Sequence, residues 1–354
     1  MNAPIPFPDT LPVAWSWFQG LLMLMFPLHL LLMNAMLGFA AVSLYARMKG
    51  GETDERLAHE LAKALPVLIA FAINFGVAAL LFLQVIFGQF FYTSSVLMAV
   101  FWLSVPLILI IAYSAAYLYD FRFATLGKRG GLLIALTLVG FLGIAFFYTN
   151  NNTLMLEPQR WVAYFSNRGG TMLNTGSAAT WPRYLHFMTG GFAAGGLFVA
   201  LFGRFKERRD PPLGARAVEL GMNLFTTLTL LQIVVGFWFF IALPRAVMLL
   251  FLGGSVTATA LLAVGLALAL AALAAGFKRS VVLSAALTIP LIFVMAFMRD
   301  AVRTGYLKPF FTPDMLKVAP EYSPLVMFFI ILMVGIVTIV WMLRKTARVY
   351  RTTF

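Results

Sequence analysis

Few residues in this chain could bind a metal or hold an electron-transfer cofactor. Its 354 residues include three histidines, His29, His59 and His186, and no cysteine. Without thiols there can be no disulfide, zinc ribbon, iron–sulfur cluster or covalent c-type haem on this polypeptide. His29 lies in the apolar run FPLHLLLMNAMLG, and His186 in WPRYLHFMTGGFAAGGLF. An imidazole in such a run is costly unless partnered. It either hydrogen-bonds a neighbouring helix or ligates a metal, haem iron being a common choice. Gly190, Gly191, Gly195 and Gly196 follow His186 and form a small-residue face that admits a flat macrocycle or another helix. His59, in the charged segment DERLAHELAK, reads as an ordinary residue.

Eighteen methionines are present. Most read as core filler, because the thioether side chain fits irregular gaps. Met248, Met295 and Met298 fall near the ends of apolar runs, at the depth of His186, where a thioether can be the second axial ligand of a b-type haem. Arg160, Arg168, Arg183, Arg245, Arg299 and Arg303 fall on the same side. Guanidinium groups there suit haem propionates, lipid headgroups or a partner protein.

The elements that must position these residues are membrane helices. The chain is 62% hydrophobic and 11% charged, with mean hydropathy +0.91. This excludes a soluble enzyme, a disordered protein and a nucleic-acid binder, despite a net charge of +13. A spanning helix needs roughly 20 mostly apolar residues. Nine such runs occur, at about 13–46, 65–90, 95–119, 131–149, 182–203, 217–243, 246–276, 280–298 and 323–343. The stretch MNAPIPFPDTLPV has no basic residue before the first run and does not read as a secretory signal peptide. Alternate connections and the C-terminal tail hold 18 of the 26 Lys and Arg residues. The expectation is an all-α polytopic bundle, one membrane domain over residues 1–354, with its N-terminus outside and its C-terminus cytoplasmic. The segments 150–181 and 299–322 read as long outer loops suited to docking. All 13 acidic residues fall in loops or at the ends of the runs. Proton relays and ion-coupled carriers usually keep a carboxylate inside the membrane, so neither is expected.

These residues give the chain a resemblance to subunit I of the cytochrome bd quinol oxidase family, over roughly residues 13–205. His29 precedes Gly38 by nine residues, as the family's first-helix haem ligand precedes a glycine. Gly76-Val77-Ala78 and Phe87-Gly88 match the second span. Asn152, Met155 and Pro158 match an Asn-x-x-Met-x-x-Pro string after the fourth. His186 stands where the family's fifth helix carries a low-spin haem ligand. The resemblance implies noncovalent haem b, one or two per chain, with His29 and His186 as ligands and Arg183 and Arg299 near the propionates. By helix order it implies Met248 as the second ligand opposite His186, with Met333 in LMVG as the rival. Met298 is the candidate opposite His29.

The sequence also departs from the family. Gln84 replaces a carboxylate before Phe-Gly, residues 95–119 contain no acid, and the connection near Pro244 replaces a long quinol-binding loop. The family's Gly-Arg-Gln-Pro-Trp motif and its ligand Glu give way to MAFMRDAVRTGYL, the Glu position falling near Phe297. Oxygen reduction consumes protons, and the groups that deliver them are missing. The resemblance therefore implies a haem-bearing electron-transfer subunit in the bacterial cytoplasmic membrane. It would work between the quinone pool and other redox subunits, such as an extracytoplasmic multihaem c-type cytochrome, surrounded by lipid and without nucleic acid. A terminal quinol oxidase and a haem-free anchor are the alternatives.

Overall fold

The computed structural model describes residues 5–353; Met1 to Pro4, at the head of the stretch read as no signal peptide, and Phe354 lie outside the described residues. The helices are α1 (Trp15–Lys49), α2 (Glu52–Leu97), α3 (Ala99–Phe121), the short α4 (Phe123–Leu126), α5 (Gly130–Leu156), α6 (Thr180–Lys206), α7 (Pro211–Ile241), the short α8 (Arg245–Leu249), α9 (Val256–Phe277), α10 (Val281–Leu307) and α11 (Tyr322–Thr353). Nine helices among the described residues are long and apolar enough to cross a membrane. No β-strand forms there; one isolated bridge joins Leu11 to Val318. An all-α bundle is what a lipid solvent requires, because a helix satisfies its own backbone polar groups.

Several helices outrun the hydropathy signal. Hydropathy marks only the lipid-soluble part, whereas hydrogen bonding continues past the first charge. The expected loop at 47–64 is mostly helix: the chain turns at Gly50 and Gly51, both with positive φ, and α2 starts at Glu52. Its first turns bury Leu57, Ala58, Leu61, Ala62 and Leu65 while charged residues alternate with them. The 46 residues of α2 would span ~70 Å at 1.5 Å per residue if straight, more than twice a bilayer core. Backbone angles at Phe87 (φ −122°, ψ 28°) break its helical course. At the other end of the bundle α5 continues to Leu156 and α10 to Leu307, which shortens both expected outer loops. Arg299, Asp300 and Arg303 thereby sit on a helix.

The expected span at 246–276 is interrupted. After α8 comes a π-turn, Leu250–Gly254, with Gly253 at φ 103°; Ser255 then caps α9 by accepting from the Ala258 N–H. Met248 is therefore on α8, ahead of the spanning helix.

Glycine permits the tightest helix crossings. A Cβ on Gly38 would stand 2.2 Å from the Gly195 backbone. Gly196 meets Gly221, and Gly203 meets Gly214, where α6 lies along α7. Gly195 and Gly196 of the small-residue face thus pack helix against helix. By contrast, α11 buries none of its described residues against the rest of the chain.

Candidate functional site

Both intramembrane histidines reach across to a neighbouring helix, and each meets a glycine there. His29 of α1 has Nδ1 2.8 Å from the Ala72 carbonyl of α2. A carbonyl only accepts, so Nδ1 carries the proton and Nε2 keeps its lone pair. Gly76, one turn along, makes the approach possible: a Cβ there would lie 2.7 Å from the ring. His186 of α6 faces α7. A Cβ on Gly236 would lie 3.3 Å from its ring, and Phe239 packs against it with centroids 5.6 Å apart. The Gln232 amide stands 2.9 Å from Nδ1 and 3.3 Å from Nε2.

Around the two rings lie three arginines that α6 and α10 bring inward. Arg183, one turn before His186, is 4% exposed. It donates to the Asn152 side chain at 2.7 Å and lies over Phe239 and Tyr306. Arg299 lies 4.3 Å over Phe26, one turn from His29, and within electrostatic reach of that imidazole. Arg303, 3% exposed, pairs with Asp300 and lies 4.4 Å over Phe87. The Nε–H groups of Arg183 and Arg303 are buried with no acceptor.

Charge at this end does not balance. Glu157 is the next carboxylate, and it pairs with Arg160 and accepts from Ser177. Four arginines thus meet two carboxylates. Cation–π contact contributes about 0.5–2 kcal/mol per pair, less than the several kcal/mol that burying an ion costs. The remaining positive charge and the two orphaned Nε–H groups call for an anion.

The other sequence-read residues are placed as follows. Met248 and Met298 pack into one apolar cluster with Phe239, Phe240, Val247 and Tyr306, beside the ring that covers His186. The Met298 sulfur lies against Gly265 of α9. One face of α10 turns Arg299 and Arg303 toward Phe26 of α1 and Phe87 of α2, and the next turns Met298 and Val302 toward α9 and α8. Met298 is thus grouped with Met248 rather than with the α1 side, where His29 is. Met333 is exposed on α11. Arg168 and Arg245 are exposed too. His59, at the opposite end, stacks on Phe123 at 4.4 Å. No group of three or more His, Asp and Glu residues able to hold a metal ion occurs among the described residues.

Gln232 and Thr189 escape a reading for histidine and charge. Their signal is a lone amide in the apolar string LTLLQIVVG and a hydroxyl three residues after His186. An open cleft of about 400 Å³ runs between Glu157, Arg160, Ala242, Pro244 and Tyr306.

The donor set suits noncovalent b haem in two respects, imidazoles with Nδ1 engaged inside the protein and orphaned guanidinium donors for carboxylates, while the thioethers of Met248 and Met298 reach the cluster of Phe239. The chain matches no protein-family model and no curated protein.

Proposed function

We propose that the chain is the b-haem-binding membrane subunit of a respiratory electron-transfer complex. It passes electrons between the quinone pool and an extracytoplasmic redox partner, such as a c-type cytochrome. The observation that carries this reading is the surplus of buried arginine beside two intramembrane histidines. A bound b haem supplies a one-electron carrier. His29, through Nε2, and His186 would hold it, with Met248 the thioether for the His186 haem. Arg183, Arg299 and Arg303 would neutralise propionates, each propionate cancelling one buried charge.

The distribution of Lys and Arg supports a cytoplasmic C-terminus in a bacterial inner membrane, with the arginine cluster toward the outer face. The cleft above Tyr306 and the connections at 157–179 and 308–321 are then where an outer partner would dock. Asp300 is the one carboxylate near the site that belongs to a spanning helix, and Arg303 holds it. That arrangement favours a conduit for electrons over an oxygen-reducing centre, which must also take up protons.

Stopped-flow reduction of the purified chain by quinol, followed by mixing with oxygen and separately with a co-purifying cytochrome, tests this reading. Fast oxidation by the cytochrome and slow oxidation by oxygen are expected. Rapid quinol-driven oxygen turnover without a partner would make the chain a terminal oxidase.

A further inference from the structure

A guanidinium can hold both oxygens of a carboxylate end-on, through its two Nη groups, or side-on, through Nε–H and Nη2–H. Arg216 uses the side edge within this chain: its Nε donates to one oxygen of Asp54 at 2.7 Å and its Nη2 to the other at 3.3 Å. Arg183 presents the same edge empty. Its Nη1 donates to the Asn152 amide oxygen at 2.7 Å. Its Nε–H is buried without an acceptor, and its Nη2 has no hydrogen bond to any described residue. The rings of Phe239 and Tyr306, with centroids 5.3 and 5.9 Å from the guanidinium carbon, supply no carboxylate oxygen.

Neither nearby carboxylate is free to fill this edge. Glu157 accepts from Ser177 and Asn174 and pairs with Arg160, and Asp300 pairs with Arg303. The other two arginines are not equivalent to Arg183. Arg303 already gives its Nη2 to Asp300, so only Nε–H remains on its side edge. Arg299 lies over Phe26 with no hydrogen bond to fix the direction of its guanidinium among the described residues. Asn152, by contrast, fixes Arg183 from a rigid point. A guanidinium only donates, so the Asn152 oxygen has to face it. The two preceding residues pin the end of α5. Asn151 accepts from Ser94 and donates to Ser95 of α2, at 3.1 and 3.0 Å, and Asn150 accepts from the Asn174 N–H at 3.0 Å. Three consecutive asparagines thus reach three different segments, and the third occupies Nη1.

We infer that Arg183 binds a carboxylate from outside the chain, one oxygen on Nε–H and the other on Nη2–H, and that Asn152 is its positioning residue, holding Nη1 and leaving the side edge clear. The carboxylate is a haem propionate or a free carboxylate from solution. The inference rests on the haem reading for the first source only, not for the edge.

Affinities of the full, haem-free chain for haem b and for haem b dimethyl ester, whose carboxylates are blocked, test both residues. Arg183→Lys keeps the charge and removes the edge. It should weaken binding of free-acid haem about tenfold and leave binding of the ester unchanged. Asn152→Leu should act in the same way by less. A merely structural role would weaken both haem forms together. That result, or undiminished binding of free-acid haem by the Arg183→Lys chain, would overturn the proposal, and undiminished binding by Asn152→Leu would remove Asn152 from it.

Thermal unfolding of the haem-free chain in sodium propionate, against sodium chloride at equal ionic strength, separates the two sources. A wild-type chain that binds no haem but is stabilised by propionate, with the stabilisation lost in Arg183→Lys, defeats the functional reading and leaves the carboxylate site intact. A chain that binds no haem and responds to propionate no more than Arg183→Lys does would overturn both.

Discussion

The two ends of the bundle use the same residue type in opposite ways. At the end where α2, α6 and α7 carry most of their charge, the cations drawn in from the surface all have partners, and several exposed ones pair too. Asp54 pairs with Arg216 and Lys49, Arg216 also with Glu219, Glu60 with Lys63 and Lys206, and Arg56 with Asp210. Even the buried Arg47 is complete: it donates to the Gly127 and Phe123 carbonyls and lies 4.0 Å over the Phe123 ring. At the other end Arg183, Arg299 and Arg303 share Asp300 and a set of aromatic faces, and two Nε–H groups have nothing to donate to. The chain satisfies its inward-facing cations at one end with its own residues and leaves those at the other end with unmet donors. A protein keeps buried unpaired cations at a stability cost, so the incomplete end is where a ligand's free energy would enter.

The largest predicted difference lies in the histidines of the two ends. His186→Ala should remove its low-spin haem completely, while His59→Ala leaves the reduced-minus-oxidised spectrum unchanged. Equal spectral loss in two correctly inserted variants would erase the distinction.

Arginine substitutions should act with opposite sign at the two ends. Arg216→Ala leaves Asp54 half-served by Lys49 and should cost up to about 3 kcal/mol of stability, with no spectral change. Arg183→Leu removes an ion that has an incomplete hydrogen-bond set. Thermal unfolding of the haem-free protein should be unaffected or shifted upward. Haem affinity should fall about tenfold to a hundredfold, the loss of one charge-assisted hydrogen bond worth about 1.5–3 kcal/mol. Strong destabilisation of the haem-free Arg183→Leu protein would mean that the protein itself already satisfies that charge.

The smallest effect belongs to the exposed pairs of the partnered end. Arg204→Ala breaks its contact with Glu207 and should change stability by less than about 1 kcal/mol. A larger loss in denaturant titration would show that the partnered end works as one network.

The spans were legible because about 20 apolar residues cannot be hidden in a sequence. Their ends were not. Glu52 to Ala64 is too polar for a hydropathy scan, yet its apolar residues recur along a helix that packs on α1. Leu-Gly-Gly-Ser at 252–255 announces the break before α9, but its turn-forming signal is diluted by the apolar residues on both sides. Which glycines serve packing and which serve a ring depended on the facing helix: Gly195 meets Gly38, whereas Gly76 and Gly236 meet His29 and His186. The arginine surplus was hidden for the same reason. Arg303 and Arg216 look alike in sequence, and only the fold sets one beside Asp300 alone and the other between Asp54 and Glu219.

The central claim is that the arginine-rich end is completed by haem. A pyridine haemochrome assay on the chain purified from haem-sufficient cells, combined with acid–acetone extraction, tests it most directly. One or two equivalents of fully extractable haem b per chain are predicted. A correctly folded chain that carries no haem, or haem that stays covalently on the polypeptide, would contradict it.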